Sequence, residues 1–133
     1  MHIFVTGATG WVGTAIVEEL VRAGHKVSGL VRSIAKAKAI AVIGAKLVPG
    51  SLDDLDLLAE TALKADAVIH TAYRQGEGEW EVNAGGTAAV AEAAQAVRLV
   101  HLSSDVVFDG TRGRYREEDE PAPVNSYGRS KAE

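Results

Sequence analysis

The chain has 133 residues, of which 47% are hydrophobic, a formal net charge of −4 and no cysteine. This length supports one compact domain with its own core and excludes two full domains. The acidic balance argues against a nucleic-acid or anionic-membrane surface, and the lack of cysteine excludes disulfides, zinc–thiolate sites and cysteine nucleophiles.

The apolar stretch at the N-terminus, Ile3–Val5, is too short for a signal peptide or a membrane span. A cytoplasmic protein is therefore the simplest expectation. The four histidines are scattered without the spacing of metal ligands, so no metal site is expected.

Short apolar runs alternate with segments of helical period, which predicts β-α-β units and a parallel sheet. In chain order the predicted elements are strand Ile3–Thr6, helix Trp11–Ala23, strand Lys26–Val31, helix Ser33–Ile43, strand Lys46–Val48, helix Leu52–Leu63, strand Ala67–Thr71, helix Glu79–Ala96, strand Leu99–Leu102 and a last helix beginning at Asn125. No glycine lies between the fourth of these helices and the last strand, so an earlier end of that helix stays open. Right-handed crossovers predict the strand order 3-2-1-4-5, a Rossmann-type doubly wound α/β sheet between two layers of helices.

The segment Thr6–Gly13 joins the first strand to the first helix with the spacing G-x-x-G-x-x-G. Gly7 allows a sharp turn, Gly10 lets a pyrophosphate approach bare backbone, and Gly13 lets the helix pack close to the sheet. The N–H groups and dipole of the helix N-terminus favour negative charge. This context favours dinucleotide binding over a turn that merely tolerates glycine. The predicted contacts are Gly7, Thr9, Gly10, Trp11, Val12 and Gly13, with Trp11 as a cover over the cofactor or a packing residue.

The end of the second strand bears on which dinucleotide binds. In NAD-preferring Rossmann proteins an acid at this position binds the ribose hydroxyls, whereas here the strand ends in Arg32-Ser33, with Lys36 one turn later. A guanidinium matches a 2′-phosphate through paired hydrogen bonds, so NADP(H) is favoured and NAD(H) stays open. The alternative is a solvated surface arginine.

Tyr127 and Lys131 are four residues apart, which places both on one face of a helix, about 5–6 Å apart at Cβ. The lysine is expected to lower the pKa of the phenol and to hold the nicotinamide ribose. Tyr127 then exchanges a proton with a carbonyl/alcohol pair while hydride moves to or from the nicotinamide. Ser104, at the end of the fifth strand, is the predicted hydrogen-bond partner of the reacting oxygen, with Ser103 as runner-up and a simple cap as the alternative.

The glycine spacing resembles that of the extended and atypical branches of the short-chain dehydrogenase/reductase superfamily. Leu102–Gly110 and Tyr127–Lys131 resemble two segments that frame the site in the dTDP-4-dehydrorhamnose reductase group. Ser104 stands where that group usually has threonine. Leu30–Arg32 is more similar to atypical NADP-linked members.

The resemblance implies further cofactor contacts. Where the family often has a Gly-Asp that reads adenine, this chain has Gly50-Ser51-Leu52, so Ser51 and the Leu52 backbone are expected there. The segment after the fourth strand is similar to a cofactor-lining segment of the family and adds Thr71, Ala72 and Tyr73. The helix that follows adds Asn83 on the nicotinamide side, and Tyr127 and Lys131 complete the set.

The implied activity is that of an oxidoreductase, an NADPH-dependent reductase of a 4-keto sugar nucleotide. An NAD-dependent sugar-nucleotide epimerase or dehydratase and a non-catalytic dinucleotide-binding subunit or fragment stay open. Since family members continue for a similar length again, residues 1–133 are expected to be the NAD(P)-binding domain of a longer enzyme, or to be completed by a second chain or a homodimer. Alone, the chain is expected to be inactive because a short terminal helix frays.

Several remaining polar and aromatic residues are expected to be structural. His70 and His101 are expected to be hydrogen-bonded sheet histidines, and Trp80 a helix-packing residue. The run of Arg112, Arg114 and Arg116 beside acidic residues is expected to be a solvated, self-neutralising loop, with an arginine bound to a substrate phosphate as the lesser alternative.

Overall fold

Five parallel strands form the centre of the molecule. The computed structural model describes residues 1–133, and its strands are β1 (His2–Thr6), β2 (Lys26–Val31), β3 (Lys46–Pro49), β4 (Ala67–His70) and β5 (Arg98–His101). Their order is β3-β2-β1-β4-β5, which confirms the predicted Rossmann-type topology. The central strand β1 pairs on both sides, with Val5 opposite Gly29 of β2 and Ile69 of β4.

The helices cover both faces of this sheet. They are α1 (Trp11–Arg22), α2 (Lys38–Ile43), α3 (Leu55–Leu63), α4 (Gly86–Ala93) and α5 (Ser126–Ala132), with 3₁₀ turns at Ala35–Ala37 and Asp105–Val107 and a π-helical turn at Glu81–Gly85. None of them is of a length and apolarity that would span a bilayer.

Three helices differ at their boundaries from the sequence prediction. The second begins with the 3₁₀ turn Ala35–Ala37 and not at Ser33, and α2 itself starts at Lys38. The third helix begins at Leu55 and not at Leu52, because the Asp54 side chain accepts a hydrogen bond from the Leu57 backbone nitrogen (3.3 Å) and caps it. The fourth is helical from the predicted start at Glu79 but contains the π-helical turn, and α4 ends at Ala93, three residues before the predicted end at Ala96.

The core lies on both faces of the sheet, as expected for parallel strands that are covered on both sides. Since side chains alternate along a strand, Val5 and Phe4 of β1 point into opposite clusters. Val5 packs with Val17 of α1 and Ile40 of α2 on one face. Phe4 packs on the other face with Leu58 of α3 and with Val90 of α4.

The strand order determines where a ligand can bind. The chain moves outward from β1 to β2 and β3, then returns to the other side of β1 for β4 and β5. The carboxyl ends of β1 and β4 therefore flank the point at which the direction of winding reverses. Doubly wound sheets bind ligands in the crevice at that point.

Candidate active site

The glycine turn lies directly against the end of β4. Gly7 has a φ of 71°, as a sharp turn requires, and a Cβ there would lie 2.5 Å from the Ala72 nitrogen. The Gly7 carbonyl accepts a hydrogen bond from the Gly10 nitrogen at 2.9 Å. A Cβ at Gly13 would overlap that same carbonyl oxygen. It would also lie 3.0 Å from Thr71 Oγ1 at the end of β4, so Gly13 is required for contact with the turn as well as for the predicted packing of the helix on the sheet.

The N-terminus of α1 opens into the cleft without a capping side chain. Gly10 is the N-cap residue, no side chain accepts from the first turn, and that turn holds no acid. A Cβ at Gly10 would meet only the Gly7 oxygen, at 3.2 Å, so the space beside it is open. Exposed helix N–H groups beside open space fit a pyrophosphate.

The cleft runs from this turn along the ends of β2, β3 and β4. Eleven residues that the sequence analysis named as cofactor contacts line it: Gly7, Thr9, Gly10, Val12, Gly13, Arg32, Ser51, Leu52, Thr71, Ala72 and Tyr73. Leu30, Asp53 and Val82 also line it and were missed. Leu30 lies in β2, two residues before Arg32, so the two-residue period of a strand could have identified it as a residue of the same face.

Two side chains of opposite charge line the cleft near the ends of β2 and β3. Arg32 is exposed and belongs to none of the ion pairs in the structure. Asp53 was placed on a helix by the sequence analysis, but it lies in the turn before α3. There Ser51 Oγ donates to its carboxylate at 3.1 Å and accepts from its backbone nitrogen at 3.1 Å.

Trp11 and Trp80 are both more exposed than expected. Trp11 does not line the cleft, and its side chain is 90% exposed on the outer face of α1, beside Ile16 and Leu20. Trp80 is 50% exposed, so it packs only partly. The expectation that these rings are packing residues is wrong for Trp11 and only partly met for Trp80.

Asn83 is buried beneath the cleft wall and does not face the cleft. Its Oδ1 accepts from the Arg74 nitrogen, and its Nδ2 donates to the Arg74 oxygen, both at 2.8 Å. The second Nδ2 hydrogen is donated to Ser130 Oγ at 2.9 Å. All of the Asn83 amide is thus bound within the protein, so this predicted cofactor contact is internal in the structure.

The helix α5 is held against the end of β5. The Asn125 side chain accepts from the Gly128 nitrogen at 2.6 Å and caps the helix. A Cβ at Gly128 would overlap the Val106 carbonyl oxygen, so the helix and the segment after β5 are in close contact. Lys131 Nζ donates to the Leu102 carbonyl at 3.0 Å. The segments that carry Ser104, Tyr127 and Lys131 therefore meet at one end of the sheet, although Ser104 Oγ itself donates to Asp105 at 3.2 Å.

The electrostatics of Tyr127 differ from the expectation. Burial raises the pKa of the Tyr127 phenol, and the nearby Tyr73 phenol raises it further. Burial lowers the pKa of Lys131, whose ammonium is bound to the Leu102 carbonyl. The prediction that Lys131 lowers the pKa of Tyr127 is wrong for this structure, because desolvation disfavours the phenolate.

A histidine pair lies behind this helix, where β4 and β5 end side by side. His70 is bound through Nδ1 to Thr6 Oγ1 (2.5 Å) and through Nε2 to Thr87 Oγ1 (3.0 Å). Its pKa is lowered to about 3, first by burial and then by His101 and Lys131. His101 stacks on it, with ring centroids 5.3 Å apart, but its Nδ1 is buried without a partner. The expectation of satisfied sheet histidines holds for His70 and fails for His101.

The arginine-rich loop forms its own local contacts. Tyr115 stacks on Phe108 with centroids 4.3 Å apart and donates to Asp109. Arg112 lies over the Tyr115 ring and pairs with Asp119. The loop is largely self-neutralising, as expected.

A glycine turn at the switch point of a doubly wound sheet and a Tyr-x-x-x-Lys helix at the end of β5 define the nucleotide-binding fold of the extended short-chain dehydrogenases. The sequence model of one family in this class, described as the RmlD substrate binding domain, matches residues 1–133, and the chain belongs to that family.

Relatives of this chain include proteins of different roles. It is 36% identical over 142 residues to "Probable low-salt glycan biosynthesis reductase Agl14" of Haloferax volcanii, covering 98% of this chain and 46% of that protein. It is 33% identical over 134 residues to "Methionine adenosyltransferase 2 subunit beta" of Pongo abelii, covering 98% of this chain and 40% of that protein. The chain thus spans less than half the length of these curated relatives.

A solved structure with the same fold was determined with ligands bound. The UDP-glucose-4-epimerase of Stenotrophomonas maltophila, with bound NAD and formylated UDP-arabinopyranose, superposes with a TM-score of 0.85 at 25% identity, over 98% of this chain and 45% of that chain. Its bound molecules are a dinucleotide and a nucleotide sugar.

Proposed function

We propose that residues 1–133 form the cofactor-binding part of a longer NADPH-dependent reductase that acts on a 4-keto sugar nucleotide. The observation that carries this proposal is a single cleft lined by the glycine turn, Arg32 and Tyr73. The Tyr73 ring in turn contacts the Tyr127 ring, so the cleft reaches the predicted proton donor. The relative named as a glycan biosynthesis reductase supports the reductive direction.

The cofactor would lie along this cleft. The backbone of Gly10–Gly13 would hold the pyrophosphate, and Arg32 would pair with a 2′-phosphate. When bound, the nicotinamide supplies hydride to the substrate carbonyl.

Residues of this chain would then protonate the substrate oxygen and hydrogen-bond to it. Tyr127, whose raised pKa keeps the phenol protonated at neutral pH, would donate a proton to the reacting oxygen. Ser104 would donate a hydrogen bond to that oxygen after turning from Asp105. Lys131, held by the Leu102 carbonyl, would bind the nicotinamide ribose.

Calorimetry with NADPH and NADH tests the cofactor preference. Arg32→Ala should weaken NADPH binding about tenfold to a hundredfold, the contribution of hydrogen bonds to a charged group, and should leave NADH binding unchanged. Lys36→Ala is the matched control, since it removes the same charge one turn further on, outside the cleft. An NADPH preference that survives in Arg32→Ala would contradict the assignment of Arg32.

Turnover tests the reaction class and is measured on the full-length protein that contains these residues. Oxidation of NADPH with a 4-keto nucleotide sugar, abolished by Tyr127→Phe, is the expected result. Interconversion of sugar epimers by protein purified with bound NAD would instead favour an epimerase.

The epimerase candidate has specific support. Asp53 adds a carboxylate to the cleft, which disfavours a 2′-phosphate nearby, and the structural neighbour was solved with NAD. Asp53→Asn separates the two candidates, since it should strengthen NADPH binding if the carboxylate lies beside the 2′-phosphate.

A non-catalytic subunit is the remaining candidate. The relative named as a subunit of methionine adenosyltransferase supports it. Binding of NADPH by the full-length protein without any turnover of nucleotide sugars would favour this role.

A further inference from the structure

The loop that follows β4 is linked to α5 in two ways, one direct and one through Asn83. The first is through a side chain, because the Tyr73 ring meets the Tyr127 ring edge-on, with centroids 6.2 Å apart and planes at 61°. The second is through the backbone of the next residue, Arg74, whose N–H and C=O are both bound by the Asn83 amide at 2.8 Å.

The second contact continues into α5 through buried groups. Asn83 Nδ2 donates to Ser130 Oγ at 2.9 Å, and Ser130 Oγ donates to the Tyr127 carbonyl at 2.8 Å. Asn83 is 1% exposed and Ser130 is 2% exposed, so water cannot replace either partner. A hydrogen-bonded chain thus runs from the Arg74 peptide to the backbone of Tyr127.

We propose that Tyr73 and Ser130 are positioning residues that fix the proton donor Tyr127 relative to the cofactor-binding loop. This inference rests on the proposed function, which by itself gives no role to Ser130 or to the Tyr73 ring. The loop lines the cofactor cleft with Thr71, Ala72 and Tyr73. It contacts the Tyr127 ring directly through Tyr73, and it is linked to the Tyr127 carbonyl through Asn83 and Ser130. One loop therefore determines both where a dinucleotide lies and where the phenol stands.

The position of Tyr127 explains why such support matters. Tyr127 lies in the first turn of α5, directly after the loop that joins β5 to this helix. A small displacement of a catalytic group lowers the rate strongly even when binding is intact. Contact with the cofactor-binding loop therefore keeps the phenol in place relative to the cleft.

The first test is Ser130→Ala in the full-length protein. It removes the link between Asn83 and Tyr127, so we expect kcat to fall about tenfold with KM and NADPH affinity nearly unchanged. Ser130→Thr keeps the hydroxyl and should restore much of the loss. Ala132→Ser, which also changes one hydroxyl but at an exposed position of α5, should have no effect on kcat.

A second readout does not depend on turnover. Hydrogen exchange of the α5 amides in the absence of cofactor should be faster in Ser130→Ala than in the wild type and in Ala132→Ser. For Tyr73, a pH titration of the tyrosine ring signals by NMR, with the Tyr127 signal assigned by its loss in Tyr127→Phe, reports the Tyr127 environment. Tyr73→Ala should lower the pKa of Tyr127 towards its ordinary value by exposing it, and Tyr73→Phe should preserve most of the burial.

The outcomes separate the inference from the proposed function. Unchanged kcat and unchanged α5 exchange in Ser130→Ala would overturn the inference, as would an equal loss of NADPH affinity and kcat. If the wild type binds no dinucleotide, the proposed function fails. The exchange and titration results on the free protein still decide whether Ser130 and Tyr73 hold α5 and Tyr127.

Discussion

At the scale of single residues, Gly13 is the position with the least space. A Cβ there would overlap the Gly7 carbonyl, which is part of the turn that forms the phosphate cradle. Gly13→Ala should therefore force α1 away from the turn, lower the free energy of unfolding by about 1–3 kcal/mol and weaken dinucleotide binding. Thermal denaturation and calorimetry measure the two effects.

Gly85→Ala provides the control for this substitution. Gly85 has helical dihedrals, and a Cβ there meets nothing within 4 Å. The change should be neutral or stabilising by about 0.5–1 kcal/mol, since alanine favours helix more than glycine does. If Gly13→Ala and Gly85→Ala change the free energy of unfolding equally, the close contact between Gly13 and Gly7 does not determine stability.

His70 makes stability depend on pH in a defined direction. Its pKa is about 3 in the folded protein against 6.5 ordinarily, so below pH 6.5 the unfolded chain binds a proton that the folded chain does not. The free energy of unfolding should fall as the pH falls from 6.5 towards 3, by at most about 1.4 kcal/mol per pH unit from this residue. Chemical denaturation at a series of pH values measures this slope.

The contribution of His70 is isolated by substitution. His70→Asn should flatten the pH dependence in that window, even if it destabilises the protein at every pH. His25→Asn, in the turn between α1 and β2, should leave the slope as it is in the wild type. A slope that is identical in His70→Asn would contradict the assignment.

At the scale of elements, α5 depends on its cap. The Asn125 side chain accepts from the Gly128 nitrogen at 2.6 Å and so binds one of the free N–H groups at the start of α5. Asn125→Ala should cost about 1 kcal/mol and accelerate amide exchange in α5. Asn125→Asp retains the acceptor and should preserve protection. If both variants exchange alike, the cap is not what holds the helix start.

The π-helical turn Glu81–Gly85 is the element that departs most from the sequence pattern. An alanine-rich stretch predicts a regular helix from Glu79, but the structure inserts the wider turn there. The Thr87 hydroxyl donates to the Asn83 carbonyl at 2.5 Å, and the Asn83 side chain faces Arg74 and Ser130. Such turns occur frequently at functional sites, and here the turn carries Asn83, which joins the cofactor-binding loop to α5.

At the scale of the whole molecule, stability should be greatest in the centre of the sheet. Phe4 and Val5 of β1 are 1% and 0% exposed and have strands on both sides. Val100 of the edge strand β5 is 44% exposed. Amides of β1 should therefore exchange at least about tenfold more slowly than those of β5, as measured by hydrogen exchange with mass spectrometry. Equal protection of the two strands would mean that the sheet opens only as one unit.

Much of this molecule follows from local sequence signals. Alternating apolar runs and helical periods predicted every strand, the strand order and the position of the glycine turn. Eleven of the predicted cofactor contacts line one cleft because parallel strands place their carboxyl ends at the same edge of a sheet. Asp53 and Val82 were missed because membership of a cleft depends on how a turn and a helix face a distant strand.

The sequence by itself determined the topology, the family and the set of polar residues at the ends of the strands, since period and turn chemistry are local properties. Only the tertiary structure decided how those residues are used. Burial raised the pKa of Tyr127 against the expected effect of Lys131, and long-range hydrogen bonds assigned Asn83 to Arg74 and Ser130. Desolvation and partner choice depend on residues far apart in the chain, which is why no local pattern contained them.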